Sequence, residues 1–191
     1  MGERQTLVQY AGVLTDTLND ADQRLAQVQT DLTTQVQSDV TDVNTLLGQI
    51  ADLNSQIGRF EINAPGSAVD LRDERQAKIN ELGKKMSIET KADPAGSGQV
   101  QVYATDTGGN LVQLVNLAAV TGPVTLTGST LTAGSPATAL SLSGGSINGA
   151  LKARDGAVQT LRTSLDALTN QMVTSVNAAY NPSGTSGNFF T

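Results

Sequence analysis

The sequence predicts an α+β fold: a long antiparallel helical bundle (stalk) with an inserted small antiparallel β-rich module. Three observations carry this expectation. Apolar residues recur at alternating steps of four and three from Leu7 to Leu32, and the seam continues past a stutter to Ile57. A similar pattern returns from Ile147. The stretch between them turns to Thr, Ser, Gly, Val and Leu, with no charged residue from Thr107 to Leu151. Steps of four and three keep one face of a helix apolar, whereas short alternating runs punctuated by glycine suit strands and tight turns.

In the first helix, Leu7, Ala11, Leu14, Leu18, Ala21, Leu25, Val28 and Leu32 form a coiled-coil seam. It continues through Val36, Val40, Val43, Leu47, Ile50, Leu53 and Ile57. The two successive steps of four from Leu32 to Val40 are a stutter, which locally unwinds a left-handed supercoil. No proline interrupts residues 1–64. Gly12, Gly48 and Gly58 each cost about 1 kcal/mol against alanine, so one helix of about 50 residues and roughly 75 Å is expected.

Pro65-Gly66 marks a loop, after which Ser67 and Asp70 match part of a capping box opening a second, short helix. Leu71, Ile79, Leu82 and Met86 make its buried stripe. Asp70, Asp73 and Glu74 near its start and Lys84 and Lys85 near its end complement the helix dipole. Strands are expected at Gln99–Thr105, Leu111–Val115, Pro123–Thr127 and Ala139–Leu142, with Asp106-Thr107-Gly108-Gly109-Asn110 as a hairpin turn. The last helix places Ile147, Leu151, Val158, Leu161, Leu165, Leu168, Met172, Val176 and Ala179 on one seam, with Arg154 at an expected apolar position. Asn181-Pro182-Ser183-Gly184 ends it. The expected domains are a discontinuous helical bundle of residues 3–88 plus 146–181, a β-rich module at 89–145 and a C-terminal loop at 182–191.

Composition narrows function. The net charge is -6, and aromatic residues make up 3% of the chain with no Trp, which disfavours nucleic acid and anionic membrane surfaces as partners. Residues 1–62 hold nine acids against three arginines and so carry the whole imbalance. That surface reads equally as a solvated helix face or as a docking face for neighbouring subunits. The absence of Cys and His removes the usual nucleophile–base pairs and zinc sites. No apolar run approaches the roughly 20 residues that cross a bilayer, and the opening residues form a polar helix rather than a signal-peptide core. Gly144-Gly145-Ser146-Ile147-Asn148-Gly149 sits where a phosphate loop would, but Ala150 stands in place of the required Lys, so it reads as a sharp strand-to-helix turn. Asp70, Asp73 and Glu74 lie beside Arg72 and Arg75 at a helix start, where capping and ion pairing explain them without a metal or an acid–base pair. No enzyme activity, catalytic residue, metal site or cofactor is expected.

Ile50-Ala51-Asp52-Leu53-Asn54-Ser55-Gln56-Ile57, followed after a Pro-Gly loop by Asp70-Leu71-Arg72-Asp73-Glu74-Arg75, resembles the central part of the FlgK family of flagellar hook-associated proteins. Gly144-Gly145 opening a helix with Arg154-Asp155, and Asn177 ahead of Gly187-Asn188-Phe189-Phe190, extend the resemblance over nearly the whole chain. The family-motif residues, all in structural roles, are Leu53, Asn54, Ile57, Leu71, Arg72, Asp73, Arg75, Gly144, Gly145, Arg154, Asp155 and Asn177. The resemblance implies a central core fragment lacking the family's terminal helical segments. It implies a structural subunit at the hook–filament junction, exported through the flagellar secretion channel and assembled outside the cell. Its partners would be other copies of itself, hook protein, neighbouring hook-associated or filament junction subunits and, for the full-length chain, an export chaperone. The alternative is a surface adhesin or receptor-type coiled-coil stalk presenting the β-rich unit to a ligand.

Overall fold

A computed structural model of the chain describes residues 2–184 and 187–190. Thr185 and Ser186 of the expected terminal loop lie outside the described residues. Helix α1 runs Gly2–Phe60, 59 residues without a break. It exceeds the expected length, and no proline intervenes along it. Helix α2 spans Val69–Lys85. The expected Ser67–Asp70 capping box does not form: the N-cap is Ala68, with no side-chain cap. The carboxylate of Glu61, just past the end of α1, takes the Ala68 N–H instead, at 3.2 Å. An orphan N–H at a helix start needs an acceptor from any source, and here a negative charge also meets the positive end of the dipole.

Strands β1 (Glu89–Ala92), β2 (Val100–Thr105), β3 (Leu111–Asn116) and β4 (Ala119–Val120) form an antiparallel sheet in that order. Tyr103 lies opposite Glu89 and Val102 opposite Val115, with a bulge between Val102 and Tyr103 against β3. Strands β5 (Thr125–Thr127), β6 (Thr130–Ala133) and β7 (Thr138–Ala139) form a second antiparallel sheet. The expected strands at Pro123–Thr127 and Ala139–Leu142 are shorter than the periodicity suggests. Leu140, past the end of β7, makes an isolated bridge to Asp106 and donates its N–H to the Leu131 carbonyl at 2.8 Å. Strands β1, β4 and β6 were absent from the sequence expectation. Every residue of β1 is exposed, so no alternation marks it.

Helix α3 (Gly145–Lys152) leads into a π-helical turn at Ala153–Val158 and then helix α4 (Gln159–Tyr180). Contacts group Thr33–Lys152 into one compact unit, and residues up to Leu32 with those from Ala153 onward into another. In the first unit, Val36, Val43, Leu47 and Ile50 of α1, Leu82 and Met86 at the end of α2, Val102, Leu114 and Leu131 of the sheets, and Ile147 of α3 are buried in one cluster.

In the second unit the start of α1 and α4 run antiparallel. Arg4 donates to the Tyr180 hydroxyl at 3.4 Å, Arg162 to Asp22 at 2.9 Å and Gln29 to Gln159 at 3.4 Å. The expected seam is partly corrected here. Leu25, Leu32, Leu165, Met172 and Val176 are half-buried, but Leu7, Leu14, Val28, Leu161 and Leu168 are exposed, and no residue of α4 is fully buried. The reason is geometric. Buried Arg154 and Val158 are followed by half-buried Arg162, two successive steps of four across the wider π turn. The covered face then moves from Leu161 and Leu168 to Arg162, Leu165 and Thr169.

Candidate interaction surface

Asn54 of α1 and Arg75 of α2 meet in a buried polar joint. Leu53 and Ile57 are buried beside Asn54, which is fully buried. Asn54 Nδ2 donates to the carbonyls of Val100 and Leu117 at 2.8 and 2.7 Å. Its Oδ1 accepts from Arg75 Nη1 at 2.8 Å and from the Val100 N–H at 3.1 Å. Both donors and both lone pairs are thereby used, as burial of an amide demands. Arg75 is buried as well and donates to the Gly98 carbonyl at 2.8 Å. Gln99 closes the joint through its bond to the Asn54 carbonyl at 2.9 Å. Leu117 holds φ 54, an uncommon conformation for a non-glycine residue, while its carbonyl is bound by Asn54.

Next to this joint, Arg72 makes a two-point ion pair with Glu61. The Arg72 guanidinium, helped by the N–H groups of Gly66 and Ala68, holds the Glu61 carboxyl down at about 2. Gly98 has φ +76, and a Cβ there would collide with this ion pair. Leu71 is half-buried and lines a surface groove, while Asp73 is exposed and makes no ion pair among the described residues.

A second polar cluster, which the sequence reading did not anticipate, centres on buried Asp39. It accepts from Lys85 at 2.8 Å, Ser146 at 2.6 Å and Gln35 at 3.0 Å. Burial opposes its ionisation, but these bonds outweigh it and hold the carboxyl below the usual range. Lys85 also bonds Asp42 at 2.7 Å. Nearby, Gly144 approaches Ser87, and Gly145 at φ +83 lies so close to the Lys85 carbonyl that any side chain would collide with it. Asn44 completes the set: its amide donates to the Val124 carbonyl and accepts the Val124 N–H, both at 2.8 Å. The signal in the sequence was a polar residue at an inward helical position, Asp39 three after Val36 and Asn54 four after Ile50.

The remaining motif residues belong to the other unit. Arg154 is buried and ion-paired with its neighbour Asp155 at 2.7 Å. Asn177 binds the terminal segment, accepting the N–H groups of Phe189 and Phe190 at 2.9 Å and donating to the Phe190 carbonyl at 3.0 Å. Phe189 stacks edge-on to both Tyr180 and Phe190.

These polar joints hold the framework, and the surface of the same unit shows what the framework presents. Tyr10 is 71% exposed and Val13 64%, with Leu7 and Leu14 on neighbouring turns of α1; on α4, Leu161 is 56% exposed and Leu168 59%. Two antiparallel helices can cover only one stripe of each other, so apolar side chains off that stripe remain open to a partner. Among the described residues, no helix is long and apolar enough to cross a membrane.

Comparison with known proteins agrees with this framework. The family model described as "Flagellar hook-associated protein FlgK helical domain" matches residues 1–189. The flagellar hook-associated protein 1 of Salmonella typhimurium (strain LT2) and that of Salmonella typhi are each 32% identical to the chain over 95 residues. The matched part covers 49% of this chain and 17% of either relative's length.

Proposed function

The chain belongs to the family of the FlgK flagellar hook-associated helical domain, and from that premise we propose that it works as a structural subunit at the junction between flagellar hook and filament. The observation that carries this reading is the exposed apolar surface of α1 and α4, with Tyr10, Val13, Leu161 and Leu168 open to contact. A subunit that functions by polymerising needs such surface, since burial of apolar area drives association. Its partners are other copies of the full-length protein, hook protein and the adjoining hook-associated or filament junction subunits, and an export chaperone serves the full-length chain before assembly. It works outside the cell after passage through the flagellar export channel, without a cofactor, a catalytic step, nucleic acid or a membrane.

The test uses the full-length protein in a strain lacking its own copy. Tyr10→Asp combined with Leu168→Asp alters exposed positions, so the purified protein keeps its helical circular dichroism. Cells carrying it are expected to make hooks that bear few or no filaments by electron microscopy. Normal filament numbers with a folded, exported variant would sink the reading.

A further inference from the structure

The turn between α1 and α2 displays apolar side chains on a frame held still from beneath. Phe60 is 65% exposed, Ile62 73% and Val69 58%. Phe60, Val69 and Leu71 help line an open groove of about 620 Å³, with Gln56, Arg59 and Asp70 among its other walls. Buried Glu61 pins the turn through Ala68 and Arg72. The exposed side chains are thus presented by an ordered loop, and a preorganised surface loses little entropy on binding.

Charge narrows the occupant. Asp52 lies one helical turn before Gln56 on the α1 wall. On the α2 wall Asp70 lines the groove, and Asp73 and Glu74 follow one turn on. Among the described residues none of these four acids has an ion-pair partner, and Arg59, the cation in the groove lining, donates to Ser55 Oγ at 2.9 Å, so four acids against one arginine leave the surroundings of the groove negative. We propose that this groove docks an amphipathic segment of a partner protein whose apolar side chains are flanked by Lys or Arg. Apolar residues of the segment pack on Phe60, Val69 and Leu71, and its cations meet Asp70 in the groove and Asp52, Asp73 and Glu74 one helical turn away from its lining. A second copy bringing up its own acidic α1 would meet like charge. The proposal concerns binding by this chain alone and stands whether or not the junction reading does.

The test titrates the isotope-labelled chain with a synthetic Leu/Lys amphipathic helix and with its Leu/Glu twin, followed by nuclear magnetic resonance. The Lys peptide is expected to bind saturably, shift Phe60, Val69 and Leu71, and weaken as salt rises. Phe60→Ser with Val69→Ser, and separately Asp70→Asn with Asp73→Asn and Glu74→Gln, should each weaken it at least about tenfold. The second set leaves the apolar residues in place, so it decides the matter even where the first set disturbs folding. Three results overturn the proposal: shifts spread along Asp16, Asp20 and Asp31 and unchanged by the substitutions, equal binding of both peptides, or self-association of the chain that protects the groove.

Discussion

At the scale of single residues, polar side chains at inward positions decide how the strands meet the helices. Asn54 uses its whole hydrogen-bonding capacity on Arg75, Val100 and Leu117, and Asn44 grips Val124 in the same manner. The motif that named Asn54, Arg72 and Arg75 was readable in the sequence. Glu61 was not, because its partners Ala68 and Arg72 become neighbours only when the chain turns back. Its titration gives a pH prediction. The Arg72 ion pair lowers the Glu61 carboxyl from an ordinary 4.5 to about 2, so the folded state binds the proton less readily than the unfolded one. The resulting stability is complete above about pH 4.5 and is lost as pH falls toward about 2. Asp39 acts in the same direction. The thermal midpoint is expected to drop between about pH 5 and pH 3. Glu61→Gln should melt lower at neutral pH and fall less steeply in acid. An unchanged acid slope in that variant would assign the sensitivity to other carboxylates.

At the scale of elements, periodicity located the helices well and their faces less well. The long α1 was legible because steps of four and three persist without proline. The face of α4 was not, because the π turn at Ala153–Val158 shifts the covered stripe while leaving the residue spacing unchanged. Strand β1 escaped for a different reason: as a fully exposed edge it carries no alternation to detect. The Gly144-Gly145 turn was expected from composition, yet only the fold shows which glycine is irreplaceable. Gly145 combines φ +83 with contact against Lys85, whereas Gly149 in α3 faces open space. Gly145→Ala is therefore expected to destabilise by more than about 2 kcal/mol. Gly149→Ala should stabilise by about 0.5–1 kcal/mol through helix propensity. Urea midpoints of the two variants moving in the same direction would refute the assignment.

At the scale of the molecule, the two compact units differ in how much they bury. Leu47 and Leu114 are fully buried in the unit formed by Thr33–Lys152, while Leu165 in the other unit is half-buried. Leu47→Ala should cost about 2–5 kcal/mol, as large-to-small changes in a packed core do. Leu165→Ala should cost roughly half as much, because part of its surface is already in water. Denaturant unfolding monitored by circular dichroism checks the ranking, and equal losses would mean that α4 is better covered than its exposure indicates. The sequence alone determined the α+β class, the long first helix, the family motifs and the apolar content of both terminal helices, since each depends on local spacing and residue chemistry. The tertiary structure alone decided which of those apolar residues stay exposed, that the strands share a core with α1, α2 and α3, and that Glu61 caps α2. Those outcomes depend on contacts between residues far apart in the chain, which no local pattern encodes.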